Sequence, residues 1–203
     1  MNNTYNMISP AKPYHCKQAN ELIHQSGPAS FDYIFNQQHG IPVKEFLCEQ
    51  FQGGNTIFSH QFHHVYTENN NAVATLGLID QGKHNKSLLH NAWHIFKHYG
   101  WRSIYKGLRF EYKLVRPPKK KCLYLYHIAV CSQQQGKGIA RKLINFAEQT
   151  AREQSYFTIS LDVAKHNQRA LNLYLGMGFE IKSHQTSYHA KLDDHIYMEK
   201  PVT

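Results

Sequence analysis

The run Val130-Cys131-Ser132-Gln133-Gln134-Gln135-Gly136-Lys137-Gly138-Ile139-Ala140 constrains this chain more than any other stretch. Before it, Leu123 to Val130 reads as an apolar strand. After it, Ile139, Leu143 and Ala147, with Ala140, Ile144 and Ala151 beside them, mark an amphipathic helix through Glu153. A strand that passes through two glycines straight into a helix brings several backbone N–H groups and the positive end of the helix dipole to one point. Such a point suits a phosphate. Glycine has no Cβ to hold oxygens away from the amides, and Lys137, Arg141 and Lys142 add positive charge. The run is not a P-loop, and Arg141 stands where a dinucleotide fingerprint needs a third Gly or Ala.

The rest of the chain sets the context. With 203 residues, 41% hydrophobic and only 18% charged, a single domain with its own core is expected rather than a disordered chain. The net charge of +9 suits nucleic acid, an anionic membrane surface or a small polyanionic cofactor. The dense cluster Lys119-Lys120-Lys121 follows Arg116-Pro117-Pro118 and reads as a solvated linker, so nucleic acid is not the expected partner. The N-terminus lacks the charged start and apolar stretch of a secretory signal, and no run approaches the ~18 apolar residues of a spanning helix. A soluble, cytoplasmic protein with no membrane partner is the expectation. Cys16, Cys48, Cys122 and Cys131 have no C-x-x-C spacing and the 15 histidines are scattered, so neither a disulfide framework nor a metal site is expected.

The pattern predicts a strand over Tyr5 to Ser9, helices over Tyr14 to Gln25 (closed by Gly27-Pro28), from Ser30, and from Pro42 to Phe51, with Pro42 in the first turn. His63 to Thr67 and Ala72 to Ile79 flank Glu68-Asn69-Asn70-Asn71 and predict a hairpin. Asn85 to Tyr112 reads as two aromatic-rich helices broken near Gly100, packed onto the body as core or as a lid. Strict alternation makes Tyr156 to Val163 a strand. Asn167 caps a helix through Ala170, Leu171 and Tyr174 that stops at Gly178, and two strands follow, Phe179 to Ser183 and Ile196 to Glu199.

Gln135-x-x-Gly138-x-Ala140 resembles the signature of the GNAT superfamily of acyl-CoA-dependent N-acyltransferases. A second stretch, Leu161-Asp162-Val163 followed by Asn167-x-x-Ala170-x-x-Leu173-Tyr174-x-x-x-Gly178-Phe179, resembles the family's later strand, Asn-containing helix and Gly-Phe exit. The resemblance implies an α/β (α+β) fold with a mixed central sheet of about six to seven strands, splayed between the fourth and fifth and flanked by helices. It implies one N-acetyltransferase domain over 1–203: an N-terminal strand, helices and hairpin (1–82), a helical aromatic-rich insertion (83–121), and a cofactor-binding half with the C-terminal strands (122–203).

By the same resemblance the co-substrate is acetyl-CoA, with no metal. Ile128, Ala129 and Val130 would meet its pantetheine arm, the segment Gln135, Gly136, Lys137, Gly138, Ile139, Ala140 and Arg141 its pyrophosphate, and Asn167 and Ala170 the arm again. Tyr174 would be the general acid, because a phenol of pKa about 10 stays protonated at neutral pH. The base is open: alternation puts Tyr124, Tyr126, Ile128 and Val130 on the acceptor face and turns His127 toward the helices behind the sheet. Tyr124 or Tyr126 could polarise a water chain, His127 could serve as base, or a group elsewhere could. The acceptor is expected to be a small-molecule or peptide amine, walled by Phe31 to Phe35, the aromatic segment and Tyr188 to His195. Glu45, Glu111, Asp193 or Asp194 would hold its ammonium group. The implied reaction is direct acetyl transfer to a primary amine in a ternary complex by a monomer or homodimer. The alternative is an acyl-CoA-binding regulatory or scaffold module without efficient turnover.

Overall fold

A computed structural model describes residues 8–35 and 40–202. Of the predicted first strand, Tyr5 to Met7 lie outside these, and β1 is Ile8–Pro10. Three helices follow: α1 (Cys16–Gln25), α2 (Pro28–Ile34) and α3 (Val43–Gln52). Both prolines act one position away from expectation. Pro28 does not close α1; it opens α2, where its missing N–H has no intrahelical role, and Pro42 is the N-cap of α3 rather than part of its first turn. The hairpin is β2 (His63–Glu68) and β3 (Asn71–Ile79). Asn69 (φ 50°) and Asn70 (φ 63°) form its two-residue turn, in the left-handed conformation that asparagine tolerates and that matches strand twist.

After the 34-residue helix α4 (Gln81–Leu114) come β4 (Cys122–Val130), α5 (Ile139–Glu153), β5 (Thr158–Ala164), α6 (Gln168–Leu175), β6 (Glu180–Gln185) and β7 (His195–Pro201). The strands form one seven-stranded sheet in the order β1-β2-β3-β4-β5-β7-β6. β4 and β5 are parallel, and every other neighbouring pair is antiparallel. The sheet therefore separates two cores. One packs Leu76, Leu123, Leu125 and Ile159 against Leu143 and Ile144 of α5, and the other gathers Ile23, Phe35, Phe46, Leu47 and Phe51 of the early helices with Val65.

Two irregularities in β4 create the site. Its ladder with β5 holds only Cys122 to Tyr124 against Thr158 to Ser160. Beyond that point, β4 has lost its β5 ladder and its backbone is available to another partner. Against β3 the register slips, with Gly77 opposite Tyr126 but Thr75 opposite Ala129, and His127 sits at φ 48°. This is a β-bulge, which re-aims the side chain it carries.

Helix α4 corrects a second expectation. It does break at Gly100 (φ 73°), as the sequence indicates, and Asp80 caps it by accepting from the Lys83 amide at 2.9 Å. Most of its aromatics, however, are not core: only Tyr99 joins the cluster of the early helices. The buried positions are Ser87, Asn91, Tyr99, Ser103 and Leu114, while Trp93 and Trp101 are 63% and 66% exposed. Polar groups face inward because they serve loop backbone: Asn91 Oδ1 accepts from the Ile57 amide at 3.0 Å, and Tyr99 donates to the Ile41 carbonyl at 2.9 Å.

Candidate active site

Where β4 leaves β5, a cleft of about 660 Å³ opens. Ile128, Ala129, Val130, Gln135, Gly136, Gly138, Ile139, Ala140, Arg141, Asn167 and Ala170 all line it, and Tyr174 stands there as well. Among the expected cofactor residues Lys137 does not line it. Lys142 is also turned elsewhere, its Nζ 3.4 Å from the Tyr66 hydroxyl. Arg169, which the sequence reading passed over, lines the cleft instead and donates to Gln135 Oε1 at 2.8 Å.

The floor of the cleft is built for oxygens. Gly136 (φ 83°) and Gly138 (φ 76°) hold left-handed conformations, and a Cβ on Gly138 would project into open space. Gly138 is the N-cap of α5, so the amides of the first turn have no intrahelical acceptor and point outward. Gln134 Oε1 is buried without a partner among the described residues. A phosphate-bearing ligand fits the amide donors of the cradle, whereas the Gln134 oxygen is an acceptor and needs an N–H or O–H partner.

Two expected contacts are partly engaged. The Val130 carbonyl accepts from Gln135 Nε2 at 3.0 Å and from Gln25 Nε2 at 3.4 Å. Asn167 Oδ1 caps α6 by accepting from the Ala170 amide at 3.1 Å, which leaves its Nδ2 to donate elsewhere. Tyr174 is buried against Phe179, and burial pushes its hydroxyl above the usual phenol range, so it remains a proton donor.

A second, mostly apolar cavity of about 280 Å³ lies on the face of the early helices. Phe31, Ile34, Phe35, Phe58, Ile95 and Ile104 wall it, with Tyr124, Tyr126 and His127 from β4 and His195 from β7. Of the expected walls, Phe31, Ile34 and Phe35 are present; the aromatic segment contributes mainly aliphatic positions, with Phe110 its one ring there; and of Tyr188 to His195 only His195 lines the cavity, the Tyr188 ring packing against Tyr33 and under Arg109. Of the expected carboxylates only Glu111 reaches the cavity, and it is paired with His84 at 2.8 Å. Asp193 holds His166, and Asp194 holds Lys165 and the Ser187 amide.

His127 reverses its expected direction. The bulge turns it away from α5 into this cavity, stacked on Phe58 with ring centroids 5.7 Å apart. Its Nδ1 lies 3.1 Å from His63 Nε2, and His63 Nδ1 lies 2.7 Å from the Ser59 carbonyl. A carbonyl only accepts, so His63 carries its proton on Nδ1, His127 carries its own on Nδ1, and His127 Nε2 holds the lone pair. Burial and the neighbouring His63 hold the His127 pKa well below the usual imidazole value. Tyr124 and Tyr126 are no bases: they donate to Asp162 Oδ2 (2.9 Å) and to the Ile57 carbonyl (3.0 Å), and burial raises both pKa values.

Asp162 is the residue that sequence reasoning missed, taken as one member of a strand's polar face. Its Oδ2 accepts from Tyr124 and from the Arg116 amide, whereas Oδ1 is buried with no partner among the described residues. It lines the acceptor-side cavity, and burial lifts its pKa to about 7 against the pull of those two hydrogen bonds. The available signal was its place in Leu161-Asp162-Val163, just past the last β4–β5 pair.

A cradle for phosphates that leads to a protonated phenol suits acyl transfer from a phosphate-bearing carrier, and the class is that of the acyltransferases. More narrowly, the chain belongs to the acetyltransferase (GNAT) family, whose profile matches residues 31–179, and that family uses acetyl-CoA. Rat N-acetyltransferase 8B is 44% identical over 64 residues, a match that spans only 29% of that protein and 32% of this chain. Rat N-acetyltransferase family 8 member 2 is 27% identical over 85% of this chain and 86% of its own length. The fold matches an N-acetyltransferase from Staphylococcus aureus Mu50 with a TM-score of 0.69 at 19% identity, over 95% of this chain and 99% of that one.

Proposed function

We propose that the protein transfers the acetyl group of acetyl-CoA to a primary amine by direct attack within a ternary complex. One observation carries this reading: the two cavities meet across the β4 bulge, with His127 lining the acceptor side and the next residue, Ile128, lining the cofactor side. Tyr174 stands on one side of that divide and Asp162 on the other.

Acetyl-CoA supplies an activated acetyl group and a leaving thiolate. The α5 amides and Arg141 hold its phosphates, and the strand edge at Ile128 to Val130 holds its arm. Asp162, whose carboxyl lines the acceptor cavity, takes one proton from the acceptor's ammonium group, freeing the nitrogen lone pair. A carboxylate of pKa about 7 does this better than His127, whose lone pair is the weaker base and serves to orient the amine. Tyr174 gives its proton to the departing sulfur and recovers one from the nitrogen as the amide forms. The apolar walls select an amine with an apolar body.

A CoA-release assay across a panel of primary amines tests this. Turnover that Tyr174→Phe and Asp162→Asn each reduce is the expected result. Tight acetyl-CoA binding with no turnover on any amine refutes the enzyme and leaves a binding module.

A further inference from the structure

Helix α4 is inside out. Its seven Lys and Arg residues stand against Glu111 alone, which gives this one element two-thirds of the chain's net charge of +9. Each exposed bulky residue from Leu89 to Tyr112 is followed directly by His, Lys or Arg, as in Phe96-Lys97, Trp101-Arg102 and Tyr112-Lys113. At about 100° per residue that spacing sets Arg102, Lys106, Arg109 and Lys113 in a stripe beside the bulky residues after Gly100, with Lys106 also donating to the Tyr33 carbonyl at 3.0 Å and Arg109 stacked on Tyr188; before Gly100 the matching positions are His90, His94 and the cation Lys97. Except at Gly100, the residue before each bulky one lines the acceptor cavity, which Ile95 and Ile104 roof.

A solvated face carries few exposed tryptophans, yet the chain's two, Trp93 and Trp101, both lie here. Aromatic rings beside lysine and arginine match a bilayer interface, where rings settle at headgroup depth and cations meet anionic lipid. A second copy of the same face would oppose cation to cation. Single-stranded nucleic acid would leave Leu89 and Leu108 with nothing to stack on.

We infer that the outer face of α4 docks the protein on an anionic lipid surface. This differs from spanning: no described helix is long and apolar enough to cross a membrane, and α4 lies on the bilayer instead. It revises the expectation of no membrane partner, and it gives part of the surplus positive charge a role. Docking also brings the roof of the acceptor cavity to the lipid. The inference does not depend on acetyl transfer.

The two tryptophans are built-in reporters. Titration with phosphatidylserine/phosphatidylcholine vesicles at low salt blue-shifts their emission, brominated acyl chains quench it, and phosphatidylcholine alone gives a much weaker response. Raising the salt reverses the effect in the wild-type protein. Lys97→Glu combined with Arg102→Glu lowers vesicle partitioning by at least about 25-fold, at about fivefold per lost cation. Phe96→Ser weakens quenching, and each variant keeps the wild-type Tm because the altered residues are exposed. Absence of a shift with anionic vesicles overturns the inference. So does an equal shift with oligouridylate, or a concentration-dependent shift without lipid, which would mean self-association.

Discussion

Asp162→Asn should make the protein more stable and less active. The asparagine carbonyl can still accept from Tyr124 and the Arg116 amide, so the local structure persists; what changes is the free oxygen, which becomes an N–H donor. Burial raises the wild-type carboxyl from 3.8 to about 7. At 1.36 kcal/mol per unit, holding it ionised in the fold costs about 4 kcal/mol at pH 8. An unsatisfied buried amide returns about 2 kcal/mol of that, so the net gain is roughly 2 kcal/mol. The pH dependence fixes the sign. Between about pH 4 and 7 the native carboxyl keeps a proton that the unfolded chain has released, so wild-type stability falls as pH rises through this window. The variant lacks this loss: its advantage is full above pH 7, vanishes between about pH 5 and 6, and near pH 4 turns into a deficit of about 2 kcal/mol from the unsatisfied amide. Urea denaturation of both proteins at pH 4, 6 and 8 measures it, with a CoA-release assay alongside. Loss of the base lowers kcat about 10²- to 10⁴-fold and removes the wild-type limb near pH 7. A variant that is less stable at pH 8, or that keeps wild-type kcat, refutes the role given to Asp162.

Three further outcomes follow from the geometry. Tyr174→Phe keeps acetyl-CoA affinity by calorimetry and lowers kcat by about 10²-fold or more, because only the proton is removed. Gly138→Glu folds, with about 1–2 kcal/mol of backbone strain at φ 76°, and calorimetry detects no CoA binding because a carboxylate occupies the phosphate cradle. Gly77→Ala places a Cβ 2.7 Å from the Tyr126 ring, displaces that ring from the Ile57 carbonyl, and lowers stability by about 1–3 kcal/mol in thermal denaturation.

How much of this was legible in the chain depends on how local the cause was. Gly136 and Gly138 announce the anion cradle because their left-handed conformations are a property of two adjacent turns. Asn69-Asn70 and Asn167 declare a turn and a cap for the same reason. His127 misled because alternation assumes an unbroken pleat, and one residue in the left-handed region cancels it. Asp162 read as an ordinary polar-face residue because burial of Oδ1 depends on the Arg116 segment and α4 closing over β5, far away in sequence.

By itself, then, the sequence determined the order of strands and helices, the phosphate loop and the tyrosine beside it, since each rests on contacts within a few residues. The tertiary structure alone decided which carboxylate is stripped of water and which histidine faces the acceptor. It also decided that most aromatics of α4 point outward while Tyr99 turns in, because hydration is lost only where distant segments meet, and periodicity in one segment records a face without recording what covers it.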